Sequence, residues 1–185
     1  MRLLHLLWPH LPLRLVRSRM EIPSSDGISS SWLPGPIILG GQPWTDGTVV
    51  DADPLARALG VRRGIPLGSA HRLAPEATFL DLAPDADRDA VEAACERLAV
   101  FSPGIAGTGD VADPSFGRIA VHVDGLTRLW GIEETLVARM AVALAPVLPG
   151  PPRAGIAGTA FAASVAAAHA EEGGPPLLVA PGDDE

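Results

Sequence analysis

The sequence predicts an α/β (α+β) protein, a mixed sheet with helices packed on it. Three observations lead there. Short apolar runs of strand length alternate with longer stretches of helical period. Hydrophobic residues make up 47% of the 185 positions, enough to bury a sizeable core. Glycine and proline are abundant, at 20 and 19, and they punctuate the chain between its apolar segments.

Taken in order, Arg2 to Trp8 is a short buried strand. Leu11, Leu13, Leu15 and Val16, with Arg14, Arg17 and Arg19 between them, suit a short helix. Residues 21–35 form a serine-rich loop. Pro36 to Gly41 is a second buried strand ending in a glycine turn, and Thr48 to Asp51 a third strand. Two short helices follow at 54–59 and 66–73, with Pro66 suited to a helix N-terminus because its missing N–H costs nothing there. Thr78 to Leu82 is a strand. Val91, Ala94, Cys95, Leu98 and Ala99 recur at helical spacing, so Asp85 to Phe101 is an amphipathic helix that Ser102-Pro103-Gly104 stops. Residues 106–116 are a Gly/Asp-rich loop, Arg118 to Val123 a strand, and Glu133 to Leu148 a helix. Ala154 to Ala157 is a further strand, and Phe161 to Ala170 an alanine-rich helix.

Charge narrows the function. The net charge is −8, and all 14 basic residues are arginine. Phosphate neutralisation supplies most non-specific DNA affinity, so this balance argues against tight autonomous nucleic-acid binding. The single cysteine, Cys95, excludes an intramolecular disulfide and a multi-cysteine zinc site; its helical setting suits a buried structural thiol. The apolar run at the N-terminus is too short and too interrupted by proline for a signal peptide, and a cytoplasmic protein is expected.

Within this acidic chain, Arg57, Arg62 and Arg63 cluster beside Gly60 and Gly64. Guanidinium forks and free backbone N–H groups bind phosphate oxygens, so the stretch is either an anion-facing element or a solvated turn. The five histidines, His5, His10, His71, His122 and His169, show no paired metal-ligand spacing and read as surface or core residues. Gly155 to Ala160 imitates a phosphate loop but lacks its Gly-Lys-Ser/Thr end, so a strand-to-helix turn is the better reading.

Residues 54–82 resemble the fingers region of Y-family (UmuC/DinB-type) translesion DNA polymerases. The matching pieces are Pro54-Leu55-Ala56-Arg57, Gly60-Val61, Arg63-Gly64-Ile65-Pro66 and Leu73-Ala74-Pro75. Phe101-Ser102-Pro103 continues the likeness. Leu129-Trp130-Gly131-Ile132-Glu133 and Ala154-Gly155-Ile156-Ala157 resemble the catalytically inactive ImuB-type mutasome subunits more specifically. Motif order and spacing, spread over nearly the whole chain, carry the resemblance.

The resemblance implies a mixed palm sheet from residues 1–52 and 77–170, and a small helical fingers subdomain at 53–76. It implies a disordered or truncated tail at 171–185, with thumb, little-finger and clamp-binding regions to follow residue 170. Active members hold two metal ions on carboxylates at the end of the first strand and in a Ser-X-Asp-Glu motif. Leu7 or Trp8 stands at the first position here, and Gly117 and Arg118 at the Asp-Glu pair. No metal and no Mg²⁺ cofactor are therefore expected. Arg57 persists where relatives use arginine on a triphosphate, but Pro54 replaces the tyrosine, so Arg57 could instead pair with Asp51 or Asp53. Weak nucleotide or DNA-backbone contact is expected at Arg57, Arg62 and Arg63. The role implied is a non-catalytic scaffold in DNA repair and damage-induced (SOS) translesion synthesis. Its partners would be a RecA-like protein, a replicative-type error-prone polymerase and a sliding clamp, with no membrane. The alternatives are an active error-prone polymerase with carboxylates relocated to Asp110 and Asp113, or a small acidic α/β binding module.

Overall fold

The computed structural model describes residues 1–20, 35–180 and 182. The serine-rich loop expected at 21–35 therefore lies, but for Gly35, outside the described residues. The elements of the first half are β1 (Leu3–Leu7), α1 (Leu11–Met20), β2 (Ile37–Leu39), β3 (Asp51–Ala52), α2 (Pro54–Ala58), α3 (Leu67–Leu73) and β4 (Thr78–Leu80). Those of the second are α4 (Pro84–Leu98), β5 (Ile105–Gly107), β6 (Arg118–His122), α5 (Thr127–Trp130), α6 (Glu133–Leu144), β7 (Arg153–Ala157), α7 (Ala160–His169) and β8 (Leu177–Leu178). They divide into two compact units, Met1–Pro9 with Asp85–Glu185, and His10–Pro84.

The first unit is built on a five-stranded sheet in the order β5-β6-β1-β7-β8. Its central strand, β1, runs antiparallel to both β6 and β7. Residues directly opposite across a ladder share a face. One face therefore carries Leu4, Leu6, Ile119, Val121 and Ile156, all buried, and α4 and α6 supply buried stripes at Leu98, Leu136, Met140 and Leu144. The other face carries His5, Leu7, Arg118, Arg153 and Gly155. Helix α7 lies over Gly155 so closely that a Cβ there would sit 2.2 Å from Ala167 N and 2.6 Å from Ala163 O. Thr159 starts α7 by accepting a hydrogen bond from Ala162 N, so the Gly155–Ala160 stretch is the strand-to-helix turn its residues suggested.

The second unit has a three-stranded sheet, β3-β2-β4, with β2 antiparallel to β3 and parallel to β4. Ile38, Val49, Ala52, Ala56, Val61, Leu67, Ala70 and Ala74 form its core. The segment 53–76 lies within this unit, together with residues 10–52.

Several expectations shift. The third strand is Asp51–Ala52; Thr48 makes only an isolated bridge to Pro66. The loop at 106–116 opens as β5, and Thr127–Trp130 forms a short helix where none was expected. Helix α4 ends at Leu98 and α6 at Leu144, short of Phe101 and Leu148. In the segment expected as a disordered or truncated tail, Leu177–Leu178 adds a parallel edge strand to β7. Cys95 is half-buried rather than buried; burial first, then the nearby Glu92 carboxylate, pushes its thiol pKa up, which disfavours the thiolate.

Candidate functional site

In the first unit the candidate positions converge where β1 meets β6. Leu7 stands directly opposite Arg118, with Arg153 on its other side. Trp8 N–H donates to Gly117 O at 2.8 Å, which carries the ladder one step past the strand. Gly117 has φ of +86°, a backbone conformation suited to glycine. Leu7, Trp8, Gly117 and Arg118 are thus brought together. Trp8 is turned inward, buried, with its indole N–H on Gly150 O at 3.0 Å. Leu7 and Arg118 share the less covered face, where the Arg118 guanidinium reaches Ser164 Oγ of α7 at 3.4 Å. His5 lies on the same face; burial first, and the Arg118 charge second, lower its pKa from the ordinary 6.5.

Asp110 and Asp113 lie apart from this pair in bonding, each engaged in its own turn. Asp110 Oδ1 accepts from Ala112 N at 2.9 Å, and Asp113 Oδ1 accepts from Ser115 N at 2.7 Å and Ser115 Oγ at 2.6 Å. These are Asx turns, the conformation a Gly/Asp-rich loop favours. Among the described residues, no three His, Cys, Asp or Glu side chains converge to hold a metal ion. Among the same residues no helix is long and apolar enough to cross a membrane.

The arginine cluster belongs to the second unit. Helix α2 begins at Asp53, whose Oδ1 accepts from Ala56 N at 2.8 Å while Oδ2 lies 3.7 Å from Arg17. Arg62 folds back to donate from Nη1 to Arg57 O, in the last turn of α2, at 2.6 Å and to Val61 O, beyond the helix, at 2.8 Å. Arg63 follows, exposed, in a turn that Gly64 makes with φ of +86°. The Arg57 guanidinium pairs with neither the Asp51 nor the Asp53 carboxylate; its Nη1 meets His10 Nε2, and His10 Nδ1 lies 2.7 Å from Asp51 Oδ1.

His10 is thus neither a bland surface residue nor a core one. It joins Arg57 to Asp51, with its own backbone held at φ of +58°. A lone histidine with no partner at metal-ligand spacing gives no signal for this in the sequence. Its partners come from β3 and α2, far along the chain.

An antiparallel-centred sheet with helices on it, together with a smaller unit of a three-stranded sheet and short helices bearing an arginine-rich turn, defines a class: the fold is that of the Y-family DNA polymerases. The crystal structure of DinB from Sulfolobus solfataricus is similar to it with a TM-score of 0.69 and 16% identity, over 97% of this chain and 48% of that one. The insertion ternary complex of Dbh DNA polymerase is similar at a TM-score of 0.68 and 15% identity, over 99% and 50%. At the level of sequence, residues 34–168 match the impB/mucB/samB family, and the chain belongs to that family. Protein ImuB of Caulobacter vibrioides (strain NA1000 / CB15N) is 35% identical over 123 residues, which is 66% of this chain and 24% of that protein. Its counterpart in strain ATCC 19089 / CIP 103742 / CB 15 matches to the same extent. The chain spans about a quarter of the length of these curated relatives.

Proposed function

We propose that this polymerase-like chain is non-catalytic, of the ImuB type, and acts as a scaffold in damage-induced translesion synthesis. The Leu7–Arg118 pair carries the reading. Nucleotidyl transfer by two metal ions needs oxygen ligands that neutralise dications beside the primer end. An aliphatic side chain offers no ligand, and a guanidinium repels a dication. Those residues do not fit Mg²⁺. The Asx turns at Asp110 and Asp113 also favour the scaffold reading, since each carboxylate already accepts from its own loop.

In this reading residues 1–52 and 77–170 serve as the palm, and segment 53–76 as the fingers. Arg57, Arg62 and Arg63 give weak contact to a nucleotide or DNA backbone. A RecA-like protein, a replicative-type error-prone polymerase and the sliding clamp are the partners, in the cytoplasm. Arg62 contributes least to DNA contact, because its guanidinium holds the end of α2.

Primer extension tests the reading. With Mg²⁺ or Mn²⁺ and all four nucleotides, the protein should give no product above the protein-free background. Extension that disappears in Asp110→Ala or Asp113→Ala would overturn it in favour of a polymerase with relocated carboxylates.

A further inference from the structure

His10, Asp51 and Arg57 form a chain of contacts whose proton positions follow from its ends. A guanidinium has only donors, so His10 Nε2 must accept from Arg57 Nη1 and carry no proton. The imidazole proton is then on Nδ1, donated to Asp51 Oδ1 at 2.7 Å. Asp51 is buried, and the same Oδ1 also accepts from Ala52 N at 2.8 Å. Its Oδ2 is buried with no hydrogen-bond partner, so this carboxylate is under-compensated. His10 reaches both partners from a left-handed backbone, a conformation that a residue other than glycine keeps only when its surroundings impose it. Charged groups beside this chain include Arg17 of α1 and Asp53 ahead of α2, themselves paired at 3.7 Å, and Arg62, whose Nη1 donates to Arg57 O.

We propose that His10 gates Arg57 as an oxyanion-binding residue. With His10 neutral, the guanidinium is tied to Nε2. A proton taken from solvent by Nε2 removes the acceptor and sets two cations side by side. Nδ1–H stays on Asp51. Arg57 turns outward, and Nε2–H and the guanidinium together face a tetrahedral oxyanion such as a phosphodiester or a nucleotide phosphate. The assignment of Arg57 to phosphate rests on the proposed function; the gate rests on the three-residue geometry.

Inorganic sulfate is the probe, because its charge does not change across the histidine range. It is titrated into the full chain at constant ionic strength between about pH 5 and 8, with His10 and Arg57 side-chain resonances read by NMR. The ring should be the Nδ1–H tautomer at the upper end. Sulfate should bind about tenfold more tightly at the lower end, since the added cation acts at contact distance. The midpoint of that change should match the midpoint of His10 itself. His10→Asn keeps a residue that tolerates the left-handed backbone, and should bind sulfate without the His10-linked change. A ring protonated on Nε2 at the upper end, an affinity indifferent to the His10 midpoint, or an unchanged pH profile in His10→Asn would overturn the gate. Two further arms, a metal-free nucleoside triphosphate and a single-stranded oligonucleotide, distinguish the source of the phosphate. Gated sulfate binding with no response to either ligand removes the nucleic-acid reading and leaves the gate. Response to either ligand without pH linkage does the reverse.

Discussion

Burial, and then the charge of Arg118, hold the His5 imidazole below its ordinary 6.5. The folded protein therefore resists protonating His5, while the unfolded chain does not. Linkage fixes the sign: the unfolded state binds more protons, so stability rises with pH across the window from the folded midpoint up to 6.5. Conversely, this penalty on the fold grows as pH falls through 6.5 and is complete below the folded midpoint. Arg118→Gln should raise the His5 midpoint, read from its imidazole resonance, but leave it below 6.5 because burial is the larger cause. A midpoint that stays put or falls would mean that Arg118 does not project its charge over this face. The same residue shows how far the site was legible. The absence of acidic residues at positions 7, 8, 117 and 118 is plain in the sequence. That Leu7 faces Arg118 across one ladder step is a matter of register, which hydrophobic pattern alone does not specify.

At the scale of elements, the long periodic segments were legible, as were the short β2, α2, α3 and β4, whereas β5 and α5 were not. Helices α4, α6 and α7 follow from apolar spacing, and β1, β6 and β7 from apolar runs bounded by turn residues. Strand β5 is only Ile105–Gly107, and its pairing with β6, not its composition, makes it a strand. Helix α5 is one turn long, and its Trp130 is held against Phe101 at a ring separation of 4.8 Å, a tertiary contact. Two substitutions test the packing. Gly155→Ala would drive a methyl into backbone atoms of α7 that cannot rotate away. It should cost about 3 kcal/mol by denaturant unfolding, the upper end of overpacking. A cost under about 1 kcal/mol would mean that α7 is free to lift. Asp53→Ala removes the N-cap of α2 and should cost about 1–2 kcal/mol, whereas Asp53→Asn should retain the cap.

For the whole molecule the decisive quantity is charge. A chain at −8 repels a polyanion, and only a local cluster can offset that over the short reach of screening at physiological salt. Arg57 is tied to His10, and Arg62 closes α2, so the cluster offers fewer phosphate contacts than its three guanidinium groups suggest. DNA binding should accordingly be weak and shallow in salt. The slope of log K against log salt on duplex DNA should be no steeper than about −2, the value for two neutralised phosphates. Arg57→Ala should abolish the binding seen at low salt, and Arg62→Ala should act mainly through α2, lowering stability along with affinity. The measurement is fluorescence anisotropy of a labelled duplex across a salt series. A slope near −6 would require several more phosphate contacts than this cluster can make, and would move the interface elsewhere on the chain. No binding by the parent protein at low salt would remove the DNA contact altogether. A shallow slope that depends on Arg57 would instead leave a residual phosphate-facing turn in the second unit.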